Sequence, residues 1–183
     1  MTTNLPEFSA PIAGTEAPLE MLAACHRRIE AQCTDLRRLV PHLLAHGADD
    51  AARTATIRLM RYFDTSALLH HADEEDDLFP ALIESMAGSD AICLREIIAG
   101  LTADHRALEA CWRHLRAILE RIAAGECVPL LVDDVEALAV RYEQHIEREE
   151  NELLPMAARL LSDAELAGVG RAMRARRKID DVS

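Results

Sequence analysis

An eleven-residue pattern occurs twice in this chain and limits what it can fold into. It runs from His70 to Pro80 as HHADEEDDLFP and returns from His145 to Pro155 as HIEREENELLP. The common skeleton is H-x-x-x-E-E-x-x-L-x-P. Residues four apart on a helix lie about one turn apart on the same face. Each copy therefore presents an imidazole and a carboxylate together, His70 with Glu74 and His145 with Glu149, where one metal or a pair of metals could take both. The doubling points to a site built by duplication.

A second repeat supports this. The segment from His26 to Arg37 lines up with the segment from His105 to Arg116, sharing His, Arg, Glu, Ala, Leu and Arg at equal positions. One helical hairpin followed by its copy explains both repeats. Each of four helices then carries one H-x-x-x-E: His26/Glu30, His70/Glu74, His105/Glu109 and His145/Glu149.

The rest of the chain agrees with helices. Its 183 residues suffice for one domain with a sizeable core. Ala, Leu, Arg and Glu dominate, all strong helix formers, while aromatics make up only 3%. The apolar spacing predicts a first helix from Leu19, ended or kinked by Pro41 and Gly47. A second runs from about Asp49 into the Glu74 region, with a kink or break at Pro80 and a further turn or two to Met86. Gly88-Ser89-Asp90 reads as a loop and helix cap. A third helix spans about Ala91 to Ala124, interrupted near Gly100, with Gly125 as its cap. A fourth runs from Pro129 or Leu130 through His145 to about Leu161. Ser162 to Glu165 is a capping box opening a short fifth helix. The expected architecture is all-α: an antiparallel up-down-up-down four-helix bundle over residues 19–161, preceded by a flexible N-terminal arm, 1–18, and followed by a short C-terminal helix and tail, 162–183.

Net charge and cysteine usage narrow the partners. A charge of −12 argues against nucleic acid and anionic membranes. The basic run from Arg171 to Lys178 is the exception, and its place at the end of the last helix suits the helix dipole. Five cysteines, an odd number without a CxxC, favour reduced thiols over a disulfide scaffold or zinc finger. With no apolar leader and no membrane-length segment, a cytoplasmic protein is expected.

Two-fold related hairpins that each bring two His and an inward Glu fit a dinuclear centre. Imidazole suits iron, zinc, copper and nickel, and carboxylates bridge such cations well. The ferritin-like di-iron bundle uses Glu-x-x-His, the reverse order and a shorter spacing. The residues from about Leu19 to Leu161 instead resemble the hemerythrin-like, or HHE cation-binding, proteins of the bacterial four-His/two-Glu type. That resemblance implies a four-helix bundle around two iron ions, an oxo- or hydroxo-bridged non-haem di-iron centre. His26 and His70 would bind one iron, His105 and His145 the other, and Glu74 and Glu149 would bridge them.

This sequence departs from the oxygen-carrying members. They bind one iron with three His, two of them from an H-x-x-x-H on the third helix, where this chain has Glu109. Their last bridging acid is an Asp five residues after its His, where Glu149 comes at four. Glu30 and Glu109 are then candidates for the place of the missing fifth His. The alternatives are a hydrogen bond to a ligand His, or a surface pair with Arg. His42, His46 and His114 are read as non-ligands. His71 is read as facing solvent or supporting a ligand, and the run Asp73 to Asp77 as a solvated acidic face with only Glu74 pointing inward. Leu22, Ile29, Phe63, Leu108, Trp112 and Leu138 are read as core, and Cys25 and Cys33 as small buried hydrophobes.

Three functions follow. The first is a sensing or stress protein that binds oxygen, nitric oxide or peroxide, or handles iron, with any output through a protein partner. The second is an enzyme that reduces peroxide or nitric oxide or aids iron–sulfur cluster repair; the short arm, without the cysteine-bearing domain of the family's repair proteins, counts against repair. The third is a metal-free helical interaction module. No catalytic residue is assigned.

Overall fold

The computed structural model describes residues 17–85 and 90–178. All regular structure among them is helical. Helix α1 spans Pro18–His46, α2 Asp50–Asp73, α3 Phe79–Ser85, α4 Asp90–Ala123, α5 Val132–Arg148, α6 Leu154–Leu160 and α7 Asp163–Arg176. Two single π-helical turns, Glu74–Leu78 and Glu149–Leu153, join α2 to α3 and α5 to α6. Residues 1–16 of the expected arm, the Gly88-Ser89 loop with Met86, and the last five residues lie outside the described residues, and α1 begins at Pro18, inside the expected arm. In the bundle α1 packs on α2 and α5, and α4 packs on α2 and α5, so each long helix touches two neighbours. The expected four-helix bundle with a short C-terminal helix is what the chain forms.

Local chemistry sets the helix ends. Asp49 caps α2, its carboxylate accepting from the Ala52 amide at 2.8 Å. Ser162 and Glu165 form the expected capping box at the start of α7. Gly125, after α4, sits at φ 87°, a conformation that glycine adopts without steric cost.

None of Pro41, Gly100 and Pro80 ends a helix. Pro41 lies inside α1, which continues to His46 before Gly47 ends it. Gly100 lies inside an unbroken α4, beneath an arginine of α5. A Cβ there would come within 2.8 Å of the Arg148 guanidinium, which pairs with Asp104 one turn further along α4.

Pro80 does not break its helix either. A proline within a helix lacks the amide donor and presses its ring on the carbonyl four residues back. The chain widens just before each proline instead. The Phe79 amide donates to the Glu74 carbonyl and the Leu154 amide to the Glu149 carbonyl, each a five-residue step. The helix then continues through Pro80 and Pro155. Both widened turns open on the glutamate of a repeat, and π-helical turns of this kind are frequent at functional sites.

The apolar interior falls into two clusters. One is built on Ile29, Leu36, Leu59, Phe63, Leu108, Trp112, Leu138 and Tyr142. The other is built on Leu22, Leu78, Phe79, Leu82, Leu94, Leu101, Leu153 and Ala157, with Val169 and Met173 of α7. The residues read as core are all buried in one or the other, and Cys25 and Cys33 are buried too. Burying one such large side chain contributes about 1.5–3 kcal/mol. Phe63 stacks at a tilt on Trp112, ring centres 4.7 Å apart. The Trp112 indole donates to Asp64, which also receives Arg116.

Helix α7 packs on α1, α2 and the first π turn. Its basic end does more than face a helix dipole. Arg176 and Arg177 donate to the buried Asp73 carboxylate at 2.6 and 2.5 Å. Arg176 also pairs with Asp77 at 2.7 Å. The acidic run is therefore not mainly a solvated face.

Candidate metal centre

The repeats set four imidazoles at one depth of the bundle. His26 follows Leu22 and precedes Ile29 on α1, and His105 lies between Leu101 and Leu108 on α4. His70 and His145 sit in the last turns of α2 and α5. In each pair of flanking residues one belongs to one apolar cluster and the other to the second. The polar layer is thus a seam between two dry regions, and each widened turn adds a glutamate to it. His26, His70, Glu74, His105, His145 and Glu149 are all at most 1% exposed.

The six side chains converge. His26 Nε2 lies 3.1 Å from Glu149 Oε2, and His145 Nε2 lies 3.1 Å from Glu149 Oε1. His70 Nε2 is 3.5 Å from Glu74 Oε1, and His105 Nε2 is 3.3 Å from Glu74 Oε2. Each glutamate thus faces one imidazole of its own helix and one from another. The donors fall into two groups of four, His26/His70/Glu74/Glu149 and Glu74/His105/His145/Glu149. Within each, one nitrogen or oxygen per residue lies within 4.8 Å of all the others. Both groups contain both glutamates.

A further layer of acids orients the rings, again in two-fold fashion. Glu75 Oε1 lies 2.7 Å from His105 Nδ1, and Glu150 Oε1 lies 3.1 Å from His26 Nδ1. Such a partner fixes which ring nitrogen is free to bind and raises its basicity. Arg106 pairs in turn with Glu75 and with Glu109. Asp104 lies 3.8 Å from His145 Nδ1 and is held by Arg148 at 2.7 Å.

Electrostatics in the metal-free protein divides the site. Burial holds His70 and His71 well below the usual imidazole range, and lowers His105 to about 3. These rings are neutral at pH 7, the form that binds metal. Burial also disfavours charge on His26, but Glu149 and Glu150 outweigh it and raise that ring. Glu74 is pushed well up by burial and by the Glu149 carboxylate. Burial works against ionisation of Glu149 too, yet the His145 and His26 rings beside its two oxygens hold it well below the usual carboxylate range.

The two candidates for the place of a fifth His, Glu30 and Glu109, lie elsewhere. Glu30 is exposed on α1, and Glu109 is half-buried with its carboxylate on Arg106 at 2.6 Å. Of their alternatives, the surface pair with Arg describes Glu109. His42 and His114 pair with Asp49 and Asp134, and His46 packs on the His42 ring, away from the centre.

The sequence reading underrated three residues. Glu75 and Glu150 hold ring nitrogens, and the signal was present, because the second Glu occupies the same place in both repeats. His71 is buried and stacks on His105, ring centres 4.0 Å apart and 13° from parallel. The repeat gave no signal for it, since Ile146 occupies the corresponding place.

The residues fit a cation. Both carboxylate oxygens of Glu74 and of Glu149, both ring nitrogens of His70 and Nε2 of His26 are buried without a hydrogen bond. Buried polar groups are normally paired, and unpaired ones are costly. Two buried carboxylates facing four imidazoles, with their lone pairs unused, are a donor set for transition-metal ions. The model of the hemerythrin HHE cation binding domain matches residues 17–157. A relative from Haemophilus influenzae, described as an uncharacterized protein, is 32% identical over 164 residues, covering 90% of this chain and 92% of the relative.

Proposed function

Because the chain belongs to the hemerythrin HHE cation-binding family, we propose that its metal centre is a non-haem di-iron site that binds a small ligand such as oxygen, nitric oxide or peroxide in a sensing or stress role. His26 and His70 hold one iron, His105 and His145 the other, and Glu74 and Glu149 are shared between them. The observation that carries this reading is the sharing itself. Two groups of four donors overlap in two glutamates, each of which faces imidazoles from two helices.

Bound iron would supply redox change and an open position for the small ligand. The protein supplies the rest. The His70 and His105 imidazoles are neutral and ready to bind, Glu75 and Glu150 fix two of the rings, and the apolar clusters on either side exclude bulk water. All five cysteines are free thiols, which supports a reducing, cytoplasmic setting. No helix among the described residues is long and apolar enough to cross a membrane.

The test is to load the anaerobic protein with ferrous iron, count the metal and then admit oxygen. The expected result is two irons per chain and new ligand-to-metal absorption in the near-ultraviolet and visible. Preference for zinc, or no metal at all, contradicts the reading. Loss of peroxide or nitric oxide over many turnovers would assign the chain to the enzymes instead.

A further inference from the structure

We infer that His71 is a fifth imidazole donor, serving the metal position held by His105 and His145. This rests on the two-metal reading above and makes its two positions unequal. One nitrogen each of His71, His105 and His145 lie within 4.8 Å of one another, and all three side chains are buried. Neither ring nitrogen of His71 makes a hydrogen bond. A histidine buried only for packing would normally pair at least one of them. The ring is parallel to His105 and edge-on to His145, 79° from its plane and 6.1 Å between centres.

The placement has a structural cause. Helix α2 packs on both α1 and α4, and successive residues of a helix point about 100° apart. His70 turns toward His26 of α1, ring centres 4.9 Å apart, and His71 turns toward His105 of α4. The third-helix position that would otherwise supply a fifth donor is Glu109, which is engaged with Arg106. Outside His71 lies a cavity of about 160 Å³ between α2 and α4, walled by Glu75, Arg106 and Glu109. His71 lines this cavity and also stacks on His105. One position then has three imidazoles and the other two, with both glutamates common to them.

The experiment compares wild type with His71→Phe, which keeps an aromatic ring on His105 and removes the donor. Both are loaded anaerobically with ferrous iron and measured by iron content, Mössbauer spectroscopy and X-ray absorption. Wild type should show two distinct iron signals of equal area and about 2.5 imidazoles per iron, falling to about 2 in the variant. One signal should move and the other stay. Free imidazole added to His71→Gly should restore the wild-type spectrum. Identical spectra for wild type and His71→Phe would overturn the assignment while leaving the two-iron reading intact. A wild-type protein with fewer than two irons would instead defeat that underlying reading. If neither variant folds, the wild-type spectrum alone decides: equivalent irons with about 2 imidazoles each contradict a fifth donor.

Discussion

Burial and the nearby Glu149 carboxylate both push Glu74 well up from the usual carboxylate range. His26 is also raised, its carboxylate partners outweighing burial. At both groups a metal ion competes with a proton for the donor atom. The sign follows directly: protons compete with the metal, so lowering the pH weakens binding and raising it strengthens binding. Affinity for a divalent probe should increase from about pH 6 to about pH 8, with proton release seen by calorimetry in buffers of different ionisation enthalpy. A flat profile would mean that neither group is protonated before the metal arrives. Single substitutions test the register of the donors. His145→Ala should lose one metal or both, whereas His114→Ala, on the exposed ring beside Asp134, should lose none. Glu75→Ala removes the partner of His105 Nδ1, and metal affinity should fall by roughly 10- to 100-fold. At this scale the sequence was most legible for His26, His70, His105 and His145, because a repeat marks positions rather than propensities. His71 was hidden because one-residue-in-each-turn reasoning assumes a helix with a single inward direction. A helix at the corner of a bundle has two.

The elements show what proline and glycine do when a site depends on them. Pro80 reads as a kink or break and Pro155 as part of a continuous fourth helix, yet each follows a π turn that opens on a glutamate of the centre. Propensity alone cannot distinguish a break from a widened turn, since both relieve the same clash. Asp49 and the capping box at Ser162 were legible because their chemistry is local. Ser162→Ala should cost about 1 kcal/mol of stability in a denaturant titration. Replacing Arg176 and Arg177 together by Ala leaves Asp73 buried without its two cations. That change should cost about 3 kcal/mol or more, and chemical denaturation of the folded variant checks it. A loss no greater than that of Ser162→Ala would show that Asp73 finds water or another partner. What no sequence pattern foretold is that α7, outside both repeats, would clamp the acidic turn carrying Glu74.

For the whole molecule, two apolar regions frame one polar layer, and that layer holds buried carboxylate oxygens and ring nitrogens without partners, which a cation would satisfy. Helical composition and the two repeats were enough to read the bundle, because four helices of this length have few other ways to bury their apolar stripes. The orientation of individual acids was not legible, because it depends on which neighbouring helix each one meets. Phe63→Ala, in the region away from α7, should cost about 3–5 kcal/mol of stability while leaving the donors in place. Thermal unfolding of the metal-loaded variant should therefore shift downward with its metal content unchanged. Removing metal from wild type should lower the melting temperature as well, since a ligand bound only by the folded state stabilises it. The most direct measurement of the central claim is iron per chain in protein loaded anaerobically and freed of loosely held metal. Two irons are expected, falling when either shared glutamate is replaced by Ala; one iron or none in wild type would contradict a centre built on Glu74 and Glu149 held in common.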